Sequence, residues 1–414
     1  MSLAHVFKHK NSRRMAGFVT GLALSFILCV LRPSSLITVA ATSGRPTVQA
    51  SAEPIVHASA KKLATDRPRP RPTVEPRNWG LQEIETSEAW RLSRGHRDVL
   101  VAVIDTGIDR DHPALRDHLW TNPGESGLDA RGRDKGSNGI DDDGNGYVDD
   151  VHGWNFVSQS NDLTDRHGHG THIAGIVSSV APEARVMVLK YYDPRIQGSK
   201  ALANTIEAIH YAVKMGAVII NYSGGGMERS PLEEDAIRLA AAQGILLVAA
   251  AGNESANSDF EHYYPADYRL SNILSVTAID SSRTVLDSSN YGEGSVDLAA
   301  PGADILSTLP GGGYGMMTGT SQATAFATGA AALLKAHKPQ LDTPEKLIRH
   351  LVNTGLRDVN LEGKTRARTV LNSYRALAMD ERAPVVDDSA EGAEALSELA
   401  ILEPENEMRA GSSH

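Results

Sequence analysis

Between positions 99 and 278 short apolar runs recur at intervals, several of them closed by a polar or glycine-containing turn. Val99 to Ile104, Val186 to Tyr191, Ala217 to Tyr222, Ile245 to Ala250 and Ile273 to Ala278 are apolar with little alternation, as strands buried on both faces are. His172 to Val180, Leu202 to Lys214 and Leu232 to Gln243 lie between them and follow a helical period. This alternation predicts a three-layer α/β/α domain with a mainly parallel central sheet. Functional groups in such folds gather at the carboxyl ends of strands. Two of these ends carry Asp105-Thr106-Gly107 and Gly252-Asn253. A further helical pattern, Ala325 to Leu334, follows directly on the small residues Gly319 to Thr324.

Composition adds the ends of the chain to this picture. The 414 residues are 41% hydrophobic and 22% charged, a globular balance. Net charge is -10, but nine acidic residues against two arginines fall after position 380, so the body is nearly neutral. It has no basic face for nucleic acid. Lys8, Lys10, Arg13 and Arg14 precede an apolar run from Met15 to Leu31, and Val39-Ala40-Ala41 offers small residues beyond it. Residues 1–41 therefore read as a secretion signal, with secreted or periplasmic export expected; an uncleaved membrane anchor is the alternative, since the run is near the lower limit for a span. Cys29, the single cysteine, lies in that run, so a processed chain has no disulfide. Residues 42–77 form a Pro/Arg-rich linker or short pro-segment, 78–380 the globular body, and 381–414 an acidic flexible tail.

Three polar groups suit a nucleophilic site. Ser321 heads the Ala-rich helical pattern, where a hydroxyl either caps the helix or attacks a substrate, with the free N–H groups and helix dipole stabilising the developing charge. His169 lies in Asp165-Arg166-His167-Gly168-His169-Gly170-Thr171-His172. A metal cluster or surface loop is the plain reading of so many histidines, but the spacing lacks the i, i+4 pair around a Glu of a zinc helix. Asp105 closes the first strand, where a carboxylate also suits a turn cap. Asp, His and Ser in this chain order form one of the convergent triad arrangements. In it the Asp orients the imidazole, the His takes the serine proton, and the Ser attacks a carbonyl.

Val101-Ala102-Val103-Ile104-Asp105-Thr106-Gly107-Ile108-Asp109 resembles the Asp motif of the subtilisin-like serine proteases. His169-Gly170-Thr171-His172-Ile173-Ala174-Gly175 resembles their His motif, Gly319-Thr320-Ser321 their Ser motif, and Ala249-Ala250-Ala251-Gly252-Asn253 the strand bearing their oxyanion-hole Asn. The resemblance covers about residues 78 to 379. It implies a subtilisin-like fold, serine endopeptidase activity through an acyl-enzyme, and catalytic roles for Asp105, His169, Ser321 and Asn253. Asn at 253 also separates the chain from the related acid-active carboxyl peptidases, for which the resemblance implies an Asp there. Two departures stand out. Gln322 replaces the usual Met after the serine, and Ala325-Phe326 replaces the usual Pro and its frequent His neighbour, which puts the helix start in question. An amine that intercepted the acyl-enzyme would make a transpeptidase, and a lost site would leave a peptide-binding scaffold. The 36 residues between Ala41 and Asn78 are too few for the folding prodomain of secreted relatives.

Asn221-Tyr222-Ser223-Gly224-Gly225-Gly226 resembles the strand that pairs with an extended protein or peptide substrate; glycine bares its backbone edge. Ser223, Gly224 and Gly225 are thus substrate-binding candidates, with Ala250, Ala251 and Gly252 as the other wall of the primary pocket. Tyr263 falls where relatives carry a small residue, so its ring is expected to shorten that pocket. In Asn138 to Asp150, Asp141, Asp143 and Asn145 alternate before Gly146, as at the start of a calcium loop, with the Tyr147 carbonyl and Asp149 or Asp150 completing the shell. A solvated acidic turn is the other reading, since His152 stands where an EF-hand has its Glu. A monomer is expected.

Overall fold

β1 (Leu100–Asp105) is the axis about which the chain is wound. The computed structural model describes residues 78–196 and 198–380. The signal, the linker and the acidic tail read above fall outside the described residues. After β1 come β2 (Gly153–Asn155), β3 (Arg185–Lys190), β4 (Ile219–Tyr222), β5 (Leu246–Ala250), β6 (Ile273–Ile279) and β7 (Leu298–Pro301). β8 (Ile305–Leu309), β9 (Gly313–Met317), β10 (Leu356–Arg357) and β11 (Thr369–Val370) follow. The helices are α1 (Trp79–Glu83), α2 (Thr86–Ala89), α3 (His169–Val180), α4 (Gly198–Lys214), α5 (Pro231–Ala242), α6 (Thr320–His337), α7 (Pro344–Thr354) and α8 (Ser373–Ala378).

The sheet runs β10-β11-β7-β6-β5-β4-β1-β3-β2 and is parallel except between β10 and β11. β1 lies between β3 and β4, so strand order reverses there and a crevice opens at the carboxyl ends. Alternation along β1 divides the core. Val101 and Val103 join one apolar cluster with α3 and α6 residues such as Ile173, Ile176 and Ala327. Leu100, Ala102 and Ile104 join another with α4 and α5 residues such as Ile209 and Ile237. The molecule is therefore a mixed α/β three-layer structure with a mainly parallel central sheet, as the alternation of apolar runs and helical patterns predicted.

The apolar runs predicted β1 and β3 to β6 to within two residues. The helical patterns predicted α3 and α6 too short: their first turns are polar, so an apolar period cannot see them. α6 begins at Thr320 with Gly319 as N-cap and no side-chain cap bond. Ser321 is therefore inside the helix and does not cap it. Ala325 and Phe326 are fully buried within that helix, so the absence of proline has not moved its start past the serine. The antiparallel β8–β9 hairpin went unpredicted, its second strand being too rich in glycine for propensity to mark it.

Candidate active site

Asp105 ends β1 and His169 begins α3, and the two meet across the crevice. His169 Nδ1 lies 2.7 Å from Asp105 Oδ1 and 3.0 Å from Oδ2, with both side chains buried. Such approach needs α3 almost in contact with the end of β1. A Cβ on Gly170 would sit 2.2 Å from the Gly107 carbonyl oxygen, so only glycine fits. Asp165 fixes the same junction. It accepts from the Thr106 hydroxyl at 2.9 Å, the Gly168 N–H at 2.8 Å and the Thr171 N–H and hydroxyl at 2.9 and 2.7 Å. Burial opposes its charge, but these bonds outweigh burial and hold its pKa below the usual carboxylate value.

Burial likewise disfavours a charged His169, yet the charge and hydrogen bond of Asp105 prevail and raise its pKa above 6.5. Its Nε2 is buried and has no partner. Ser321 is 0% exposed, and its Oγ donates to the Ser223 carbonyl at 3.2 Å. Rotation about the serine χ1 is the movement that would hand that proton to a base instead, and catalytic hydrogen bonds commonly close only when substrate binds. His172, by contrast, is structural. Its Nε2 meets the Ile305 and Gly315 carbonyls, and burial takes its pKa down to about 4, tying α3 to the β8–β9 hairpin as a neutral ring.

Asn253 lies beyond β5 with its amide orientation fixed. Its Oδ1 accepts from the Thr320 N–H at 3.0 Å and hydroxyl at 3.2 Å, which leaves Nδ2 as donor. The Ser321 N–H is in the first turn of α6, where no intrahelical acceptor exists. Two donors therefore accompany the serine. The loop carrying Asn253 is held by Asn290, whose Oδ1 accepts from the Glu254 N–H at 2.9 Å and whose Nδ2 donates to the Ala251 carbonyl at 2.9 Å. Neither Asp165 nor Asn290 stood out in the sequence; a lone polar residue in a loop carries no local signal.

Ser223, Gly224 and Gly225 run along one side of the cleft, next to a cavity of about 530 Å³ that also touches Asp105 and His169. Gly226 exchanges backbone bonds with Tyr264 at 2.9 and 2.8 Å, whereas Gly224 and Gly225 make no such bonds among the described residues. The Tyr263 ring lies between the two glycine walls. A Cβ on Gly225 would come within 2.5 Å of its Cε1, and one on Gly252 within 2.9 Å of its Cγ. Ala250 and Ala251 are buried beside it. The space between the walls is occupied by the protein itself.

The acidic insertion is divided differently from its reading as one loop. Asp143 and Asp150 come together with Glu125, which sequence spacing did not suggest, and their oxygens lie within 4.8 Å of one another. Asp141 accepts the N–H groups of Asn145 and Gly146, and Asp149 that of Gly139. The Asn145 oxygen accepts from the Tyr147 N–H at 2.7 Å while its NH2 faces Asp143 and Asp150. Tyr147 packs its ring against Trp154 and Tyr211. Burial raises the pKa of Glu125 and of Asp150, and Glu125 Oε2 is buried with no partner. Three hard carboxylates and an orphaned oxygen fit a calcium ion.

The Subtilase family model matches residues 96–377. The chain is similar to an intracellular serine protease of Paenibacillus polymyxa, 37% identical over 267 residues, 62% of this chain and 72% of that one. It is similar to thermitase of Thermoactinomyces vulgaris, 30% identical over 317 residues, 74% of this chain and 98% of that one. Among solved structures, a lanthipeptide protease aligns with TM-score 0.58 and 22% identity over 72% of this chain and 92% of its own. That last likeness concerns the fold alone.

Gln322, the residue after the serine, is 0% exposed and both its amide atoms lack partners. No thioether stands at that position. Activity is expected to survive peroxide that inactivates a Gln322→Met variant, with peptide mapping to locate any oxidation. Rapid loss in the wild type with oxidation mapped beside Ser321 would refute this.

Proposed function

Because the chain belongs to the subtilase family of serine endopeptidases, we propose that Asp105, His169 and Ser321 are its triad and that Asn253 Nδ2 and the Ser321 N–H form its oxyanion hole. The reading rests above all on the buried Asp105–His169 bond, which leaves Nε2 as an unpartnered base. Ser321 Oγ attacks the peptide carbonyl as its proton passes to Nε2. The carbonyl oxygen, now negative, takes hydrogen bonds from the two donors. The imidazolium, stabilised by Asp105, returns the proton to the leaving amine and an acyl-enzyme remains. Water, deprotonated by the same nitrogen, then releases the acid. The substrate is an extended protein or peptide that pairs with Gly224 and Gly225.

A fluorophosphonate should label the wild type and spare Ser321→Ala. The labelling rate should rise with pH through a midpoint above 6.5, because His169 must be neutral to accept the proton and Asp105 raises its pKa. Asp105→Asn should cut turnover on the order of 10⁴-fold. Equal labelling of the Ser321→Ala protein would refute the assignment.

The Tyr263 ring makes the primary pocket shallow, and small or medium side chains are its expected occupants. Tyr263→Gly should raise cleavage after Phe or Tyr by on the order of tenfold or more, the scale on which a few methylenes discriminate. A peptide library cut mainly after Phe or Tyr by the wild type would count against it.

A calcium ion held by Glu125, Asp143 and Asp150 would offset the charge these carboxylates concentrate and stabilise the folded state by mass action, about 2.7 kcal/mol at a hundredfold excess over Kd. Chelator should lower the melting temperature by several degrees, and Glu125→Gln should abolish that difference. Identical melting curves with chelator and with calcium would sink the site.

Export rests on the segment from Lys8 to Ala41, whereas the name of the Paenibacillus relative places that protein inside the cell. Enzyme recovered from outside the cytoplasm with Thr42 as its first residue is the expected result. Enzyme retained in the cytoplasm with its first 41 residues would overturn it.

A further inference from the structure

One carboxylate on the cleft wall has no part in the reaction above. Glu233 is in the first turn of α5, three residues after the N-cap Ser230, where a Glu ordinarily reaches back to the N-cap N–H. Here that N–H donates to the Tyr268 hydroxyl at 3.0 Å, and the Tyr268 hydroxyl lies 2.7 Å from Glu233 Oε2. Tyrosine has taken over the capping contact, and the carboxylate turns into the cavity beside Gly224 and Gly225. Glu233 is 3% exposed. Among the described residues its other oxygen takes no hydrogen bond, and no Lys, Arg or His pairs with it. The adjacent Glu234, also buried, is by contrast paired with both Arg229 and Arg238. A buried carboxylate with a single neutral donor is costly unless a counter-charge arrives.

The surroundings specify what would arrive. Tyr191, Tyr222, Tyr263, Tyr264 and Leu202 wall the cavity with surface suited to an aliphatic stem. Its acidic groups are Glu228, Glu233 and Asp105, the last engaged by His169; His167 also lines it, and no Lys or Arg does among the described residues. We propose that Glu233 is a specificity-determining residue that receives the ammonium or guanidinium group of a Lys or Arg side chain upstream of the scissile bond. This rests on the reading of Gly224 and Gly225 as the strand that pairs with substrate. In such pairing, alternate side chains of the substrate face the same way, so one upstream position delivers its side chain to Glu233.

The groups facing Glu233 are Tyr191, Tyr222, Tyr263 and Tyr268, all held neutral by raised pKa values. Glu228 at the cavity mouth and the Glu234–Arg229–Arg238 cluster are the nearby charges on its own side. Burial pushes the Glu233 pKa up to about 7. Preference for a cation should therefore grow as pH rises through neutrality and fade below it.

The test uses peptides with either Lys or norleucine at each of the four upstream positions in turn, the position before the scissile bond being Ala except where it is itself varied. At one position kcat/KM for Lys should exceed that for norleucine by on the order of tenfold or more at pH 8. That ratio should approach one at pH 5.5. His169 is common to the reaction of both substrates and cancels in the ratio, whereas any pH dependence from His167 at the cavity would persist in Glu233→Gln. Glu233→Gln should abolish the ratio and Glu233→Asp should retain part of it; loss of a merely structural residue would slow both substrates alike. A ratio near one at every position in the wild type, or an unchanged ratio in Glu233→Gln, overturns the proposal while leaving the protease reading intact. Should no peptide be cleaved, the protease reading is the one in question, and binding of the same peptides, fluorescently labelled, to Ser321→Ala decides this one. Tighter binding of the Lys peptide, lost in Ser321→Ala/Glu233→Gln, supports it, and equal binding overturns it.

Discussion

The bond between Asp105 and His169 is the contact to which the rest of the cleft is fitted. Burying a carboxylate against an imidazole is favourable only if both are held close and the remaining lone pairs are satisfied. Asp105 meets that condition through His169 and the Thr106 N–H at 2.7 Å. Asp165 supplies the second half of the solution. It bridges the Thr106 hydroxyl, just past β1, to the first turn of α3, so strand end and helix start move as one piece. Gly170 lets them approach closely enough for the bond to form.

The same geometry dictates where the proposed nucleophile can stand. β4 neighbours β1 in the sheet, so the carboxyl end of β4 delivers Ser223 beside Asp105. α6 then enters from the opposite layer, its small residues allowing close packing on α3: a Cβ on Gly329 would lie 2.5 Å from the Val180 side chain. That seats the positive end of α6 at the crevice, with Thr320 anchoring Asn253 and Ser321 contacting Ser223. Ser321 donating to a backbone carbonyl is a resting arrangement in which the hydroxyl is satisfied. In the proposed mechanism, attack follows the exchange of this bond for one to His169.

Legibility in the sequence followed a physical division. Strands buried on both faces announce themselves by apolar runs, and β1 and β3 to β6 were read that way. The positions of Asp105, His169, Ser321 and Asn253 were readable because each sits where an element begins or ends, next to glycine or small residues. Groups that act through distant partners were not readable. Asp165 looked like part of a His-rich loop, Asn290 like any polar turn residue, and Glu125 stands 18 positions before Asp143. Glu233 was hidden for another reason. Its spacing from Ser230 is that of an ordinary capping pair, and only the placement of Tyr268 diverts it. The alternating carboxylates of the insertion suggested a single loop, but Asp141 and Asp149 are occupied by nearby N–H groups that spacing cannot weigh.

Two features of the cleft bear on one another. The Tyr263 ring fills the slot between Gly225 and Gly252 that would otherwise take a large side chain. A shallow apolar slot discriminates by about 1–3 kcal/mol per methylene at most, so little selectivity is available at the scissile bond itself. The neighbouring cavity of about 530 Å³ is lined by the Glu233 carboxylate, where a matched charge is worth more than a methylene because a mismatch leaves the carboxylate buried and unpaired. Tyr263 borders both spaces. The ring that fills the first slot is therefore also a wall of the second, and on the proposed reading selectivity lies upstream along the substrate. On the proposed reading the two residues act as one device: the ring closes the slot next to the scissile bond, and the acid beyond it supplies a contact upstream.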